Sequence, residues 1–189
     1  MEQNFLSIQS AKNVVQQLQF EKTYSSVESA EAFFVIAKNL MLDIHVWQSE
    51  STNHSVQFFI TDNTEKVHHR NIHKGDLIRV KFLNSEMEKV DWMRINVLQY
   101  DDYPNENREV LTLHLYQVQD HPQETNSYAD LEKNRHEIYL SIERNHSHLI
   151  SGLTFCVNHD VHHPSNDFEL PFKEHLSWDH LLQKFLQEE

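Results

Sequence analysis

Residues 91–118, DWMRINVLQYDDYPNENREVLTLHLYQV, decide the fold class. Met93, Ile95 and Val97 alternate with Trp92, Arg94 and Asn96. A polar DDYPNENR segment follows, and Leu111, Leu113 and Leu115 then alternate with Thr112, His114 and Tyr116. A period of two marks an extended strand with one face on a core. A connection this short cannot hold a crossover helix, so the two runs predict an antiparallel hairpin. Outward from it, Val56-Phe58-Ile60, Ile78-Val80-Phe82 and Ile138-Leu140-Ile142 repeat the pattern with polar connections such as TDNTEK, NSEMEK and ERNHSH. Leu149 to Val157 adds a last strand, in which Gly152 predicts a bulge or bend. The segment 120–136 has the length of a loop or short helix.

At both ends the period becomes helical. Ala11, Val14, Val15 and Leu18, after Ser10, predict a short first helix. Ser25 and Glu28 fit a capping box ahead of a second, with Ala30, Phe33, Phe34, Ala37, Leu40 and Met41 on one face. Ser177 is the expected N-cap of a third, whose apolar face is Trp178, Leu181, Leu182, Phe185 and Leu186, with Leu176 stapled onto Leu181. The expected fold is α+β: a curved, largely antiparallel sheet of six or seven strands, two N-terminal helices and one amphipathic C-terminal helix, in a single domain over 1–189.

Composition narrows the function. The 189 residues hold 16 Lys+Arg against 29 Asp+Glu, a formal charge of −13 that protonation of all 15 histidines would bring to +2. That balance argues against sequence-independent nucleic-acid binding, which depends on Lys and Arg at phosphates. Two glycines, Gly75 and Gly152, cannot build a phosphate-cradling loop or a dinucleotide fingerprint. One cysteine, in the apolar run TFCV, excludes an intrachain disulfide and reads as a buried core residue. No run approaches the roughly 20 apolar residues of a membrane helix, and the N-terminus lacks a basic then apolar leader, so a cytoplasmic protein is expected.

Three histidine groups have metal-ligand chemistry: His68, His69 and His73; His146 and His148; and His159, His162 and His163 with Asp160. None carries the H-E-x-x-H spacing, and all fall in predicted turns, so they are read as solvated loop residues with no metal assigned. No cofactor and no catalytic set is assigned either. Asp101-Asp102 lies in a loop, and Glu188-Glu189 ends the last helix.

KGDLIRVKF (74–82), DWMRINVLQ (91–99), SIERNHSHLISG (141–152) and LSWDHLLQKFL (176–186) resemble, in order, the motifs of a family of uncharacterised bacterial proteins. The terminal motif departs from that family's pattern, because Trp178 follows Ser177 directly. The family brings no activity with it. More distantly, the element order is similar to the helix-grip fold of START and Bet v 1-like proteins, in which a C-terminal helix closes a curved sheet over an apolar cavity. That fold begins with a strand, for which Phe5-Leu6-Ser7-Ile8 is the candidate.

One sheet face, with Ile60, Val80, Ile95, Leu113 and Leu140, is uniformly apolar and should take the helices. The other mixes Phe59, Trp92, Leu98 and Tyr116 with Arg79, Lys81, Arg94, Asn96, Thr112, His114, Tyr139 and Glu143. The first functional expectation is a non-enzymatic module binding an apolar or amphipathic small molecule between sheet and helices. Its lining would be Phe33, Phe34, Trp92, Tyr116 and Trp178, with Arg79 and Arg94 toward an anionic head group. The alternative is a filled core with protein interaction through an exposed sheet edge or the loop at 120–136, or homodimerisation by pairing of edge strands. A metal-dependent enzyme at the His159 group is the third reading.

Overall fold

The computed structural model describes residues 13–49, 56–61, 66–83, 90–118, 136–157 and 176–187. Its centre is an eight-stranded sheet made of β1 (Asn13–Thr23), β2 (Val56–Thr61), β3 (Val67–His68), β4 (Leu77–Phe82), β5 (Val90–Tyr103), β6 (Arg108–Val118), β7 (His136–Asn145) and β8 (His148–Val157). The order is β1-β8-β7-β6-β5-β4-β2-β3, and every pairing is antiparallel. Helices α1 (Val27–Leu42), α2 (Ile44–Ser49) and α3 (Trp178–Lys184) pack on one face, α1 against β7 and β8, α2 against β2, and α3 against β1 and β8.

The expected first helix is a strand. In β1, Leu18 and Phe20 turn to the core while Gln17, Gln19 and Glu21 stay in water, a period of two that outweighs the helical spacing of Val14 and Leu18. A register shift between Val14 and Gln16 disguises the alternation at its start. Phe5–Ile8, the run expected to supply an opening strand, lies outside the described residues. The sheet therefore has eight strands rather than six or seven, β1 and the two-residue β3 being the additions. A second helix, α2, follows α1, and Trp47 is its completely buried anchor, donating from Nε1 to the Met41 carbonyl at 3.1 Å.

α1 begins one residue later than its pattern suggests. Ser26 is the N-cap, and Ser29 completes the box, each hydroxyl accepting from the other residue's backbone N–H. Its stripe packs as expected, with Ala30, Phe33, Phe34, Ala37 and Met41 buried and Leu40 partly so. Ser177 caps α3 by accepting from His180 N. With seven residues α3 is far too short to be helical alone. It is held by burial of Leu176, Trp178, Leu181, Leu182, Phe185 and Leu186 and by Ser151 Oγ, which donates to the Leu182 carbonyl at 2.8 Å.

Both glycines have local reasons. Gly75 takes φ +90°, and its N–H donates to the Ile95 carbonyl at 2.8 Å while the Asp76 carbonyl accepts from Ile95 N. Asp76 in turn receives two hydrogen bonds from Arg70 and one from His73 N, which fixes the approach to β4. Gly152 is not at a bulge: its ladder is regular, and a Cβ there would stand 3.1 Å from Ser141 Oγ on the neighbouring strand.

A bulge does occur in β5, between Ile95 and Val97, where Asn96 is the extra residue. It reverses the facing of the rest of the strand. Leu98, expected on the mixed face, instead packs against the helix-side core, and Tyr100 follows it onto that side. Tyr100 thereby meets a charge network. Its hydroxyl donates to Glu109 Oε1 at 2.5 Å, Arg144 Nε donates to Glu109 Oε2 at 2.7 Å, and Lys38 Nζ lies 4.2 Å from the Tyr100 ring centroid. The hydrogen bond to Glu109, then burial, push the Tyr100 phenol up to about 12. Its protonated form is favoured by the fold, so its contribution is complete below pH ~10 and disappears as pH rises toward 12. Tyrosinate absorbance should show fewer late-titrating phenols in Tyr100→Phe than in the parent. Loss of a phenol from the ordinary part of the curve near pH ~10, with the late part unchanged, would mean that the hydrogen bond to Glu109 is absent in solution.

Candidate functional site

The seven expected lining residues fall on opposite sides of the sheet. Phe33, Phe34 and Trp178 lie on the helix side, inside the continuous core, with exposures of 6%, 0% and 3%. Phe33 sits against Tyr24 at 5.1 Å between ring centroids, and Lys22 Nζ caps both rings. Arg79, Trp92, Arg94 and Tyr116 lie on the far face, where the strand register brings them together. Arg79 stands opposite Trp92, Leu77 opposite Arg94, Trp92 opposite Val118, and Arg94 opposite Tyr116.

These far-face residues form a second apolar cluster, separate from the main core. Leu77, Trp92 and Val118 are buried in it, with Val90 and Tyr116 packed alongside. The far side of an antiparallel sheet is ordinarily solvated. Here it carries a tryptophan and a tyrosine beside two guanidinium groups. Phe59 on β2 is the cross-strand partner of Arg79, whose Cζ lies 4.9 Å from its ring centroid.

The arginines are unlike the others. Among the described residues, Arg70 binds Asp76, Arg108 binds Glu143 at 2.6 Å and Arg144 binds Glu109. Among the described residues Arg79 and Arg94 have no ion-pair partner, and Arg79 Nε is buried without a hydrogen-bond acceptor. A buried donor left unmade costs about 1–3 kcal/mol. Antiparallel register also makes the two arginines diagonal neighbours on adjacent strands, close enough for long side chains to share a ligand.

Next to Tyr116 the face becomes polar. Glu137, directly opposite Tyr116, accepts at Oε2 from His114 Nε2 at 3.0 Å and from the Tyr139 hydroxyl at 2.8 Å. The His114 ring stacks on Tyr139 at 4.2 Å, and its Nδ1 accepts from Asn96 Nδ2 at 3.1 Å. His114, Glu137 and Tyr139 are all at least nine-tenths buried. Burial first, then the bond to Glu137, push the Tyr139 phenol well above its ordinary range. Glu137, Leu77 and Val118 escape sequence reasoning because their relation to Trp92 and Tyr116 is cross-strand. Only a known register would have linked them.

Among the described residues, no three His, Cys, Asp or Glu side chains converge to hold a metal. His148 faces Glu21 at 3.1 Å, His146 turns to Asn145, and His73 to Arg70. The group at His159, Asp160, His162 and His163 lies outside the described residues. Cys156 is buried, as expected from TFCV. No described helix is long and apolar enough to cross a membrane.

No family model and no curated protein matches the chain. Similar solved structures include Ara h 8.0201 (12% identity, TM-score 0.38, covering 84% of this chain and 83% of that one). A major latex-like protein 151 from Panax ginseng gives 8% identity and a TM-score of 0.37, with 92% and 91% covered. A norcoclaurine synthase point mutant from Thalictrum, in complex with a transition-state analogue, gives 9% and 0.33, with 79% of each chain covered. Likenesses of this strength assign neither a family nor a ligand to the chain.

Proposed function

We propose that this protein is a non-enzymatic binding module for an amphipathic small molecule, and that the ligand lies against the Trp92 face of the sheet rather than beneath the helices. The observation that carries this reading is the second apolar cluster of Leu77, Trp92 and Val118 beside convergent polar side chains, the composition of a small-molecule site. The helix side supports it less, because Phe33, Phe34 and Trp178 are consumed there in packing α1 and α3 onto the sheet. Native mass spectrometry of gently purified full-length protein should show a small-molecule adduct at one per chain. Trp92→Leu should lose it with an unchanged far-ultraviolet spectrum. A bare monomer mass would count against the reading, and a mass of two chains without adduct would shift it to homodimerisation.

A further inference from the structure

We infer that the ligand's head group is an oxyanion, carboxylate or phosphate, gripped between Arg79 and Arg94, with its apolar body on Trp92 and Tyr116. The head-group assignment presupposes the binding function proposed above. In a chain of charge −13, carboxylates are abundant, and the three other described arginines each have one. Arg79 and Arg94 are the exceptions, and they occupy one face of two adjacent strands. Like charges placed as diagonal neighbours repel, and an anion between them removes that repulsion.

The setting favours a shaped site over a pair of stray surface charges. Phe59 and Trp92 flank Arg79 on its two neighbouring strands, its Cζ lies over the Phe59 ring at 4.9 Å, and its Nε–H has no acceptor. A guanidinium presents Nε and a terminal nitrogen as a fork that fits two oxygens of a carboxylate or phosphate. Arg94 stands between Leu77 and Tyr116, which places the second cation beside apolar and aromatic surface. Asp91, opposite Val80, alternates onto the helix side, and the nearest acid in the register on the far face, Glu137 opposite Tyr116, is already engaged by His114 and Tyr139. An anion with an aromatic or branched apolar body therefore fits both halves of the site.

The test is calorimetric titration of the full-length protein with three probes sharing one body: 2-naphthoate, 2-naphthyl phosphate and 2-naphthylmethanol. Either anion should bind at least tenfold more tightly than the alcohol, and their order tells a carboxylate site from a phosphate site. Arg79→Gln and Arg94→Gln should each abolish that preference, so that neither anion binds more tightly than the alcohol to the same variant. Arg79→Lys should not restore it, since lysine keeps the charge and lacks the Nε–H. Equal affinity for anions and alcohol, or a preference that survives both arginine variants, would overturn the oxyanion assignment while leaving the binding function standing. Failure of all three probes would overturn the binding function itself. A thermal midpoint of Arg79→Gln well below the parent's would also overturn the assignment, because it would show the guanidinium to be a structural partner.

Discussion

Trp178→Ala is expected to lower stability by about 3–5 kcal/mol, the range for removing a large aromatic from a packed core. Trp178 is 3% exposed and opens α3, whose whole inner face is buried on β1 and β8. A helix this short has no stability of its own, so loss of its largest side chain removes most of what docks it. The Ser151 hydrogen bond to the Leu182 carbonyl and the Tyr24 hydroxyl, 3.4 Å from the Leu186 carbonyl, depend on that docking. Against a total of about 5–15 kcal/mol for a domain, the loss is large. Urea unfolding should show a lower midpoint with an unchanged slope. A loss under about 1 kcal/mol would mean that Trp178 borders open space, and would return the ligand to the helix side.

Arg144→Met should cost about 3 kcal/mol at neutral pH, because it strands the Glu109 carboxylate between α1 and the sheet. The two side chains are 6% and 11% exposed and bonded at 2.7 Å, and Arg144 Nη1 also donates to the Asn107 carbonyl at 3.1 Å, where Asn107 holds φ +47°. Burial pushes Glu109 up, but hydrogen bonds from Tyr100 and Arg144 and the charges of Arg144 and Lys38 more than offset it, and its pKa is lowered. A lowered folded pKa means that its stability contribution is present above the unfolded value near 4.5 and is lost as pH falls through the folded one. Urea midpoints from pH 7 down to pH ~3 should therefore fall less steeply in Arg144→Met than in the parent. Arg144→Met with Glu109→Gln should recover part of the loss, since the stranded group is then neutral. Parallel pH profiles for parent and variant would show the pair to be solvated.

Helix stripes and strand alternation were legible because each is local. Ala30-Phe33-Phe34-Ala37-Met41 and Ile138-Leu140-Ile142 carry their period within a few residues, and burial follows it directly. The period of two in β1 is obscured by the register shift at its start, which lets Val14, Val15 and Leu18 match a helical stripe while Leu18 and Phe20 alone carry the alternation. The bulge at Asn96 left no mark in the local pattern. It moved Leu98 and Tyr100 to the helix side and so created the Glu109 network.

By itself, the sequence determined an α+β chain with an antiparallel sheet, an apolar face for the helices and a mixed one opposite, since side-chain periodicity reports which face of an element is dry. Only the tertiary structure decided the grouping of the candidate residues. Phe33, Phe34 and Trp178 went to the core, while Arg79, Trp92, Arg94 and Tyr116 met across β4, β5 and β6. The physical reason is register. Which residue stands opposite which is set by hydrogen bonds between strands far apart in the chain, and alternation within a single strand carries no record of them.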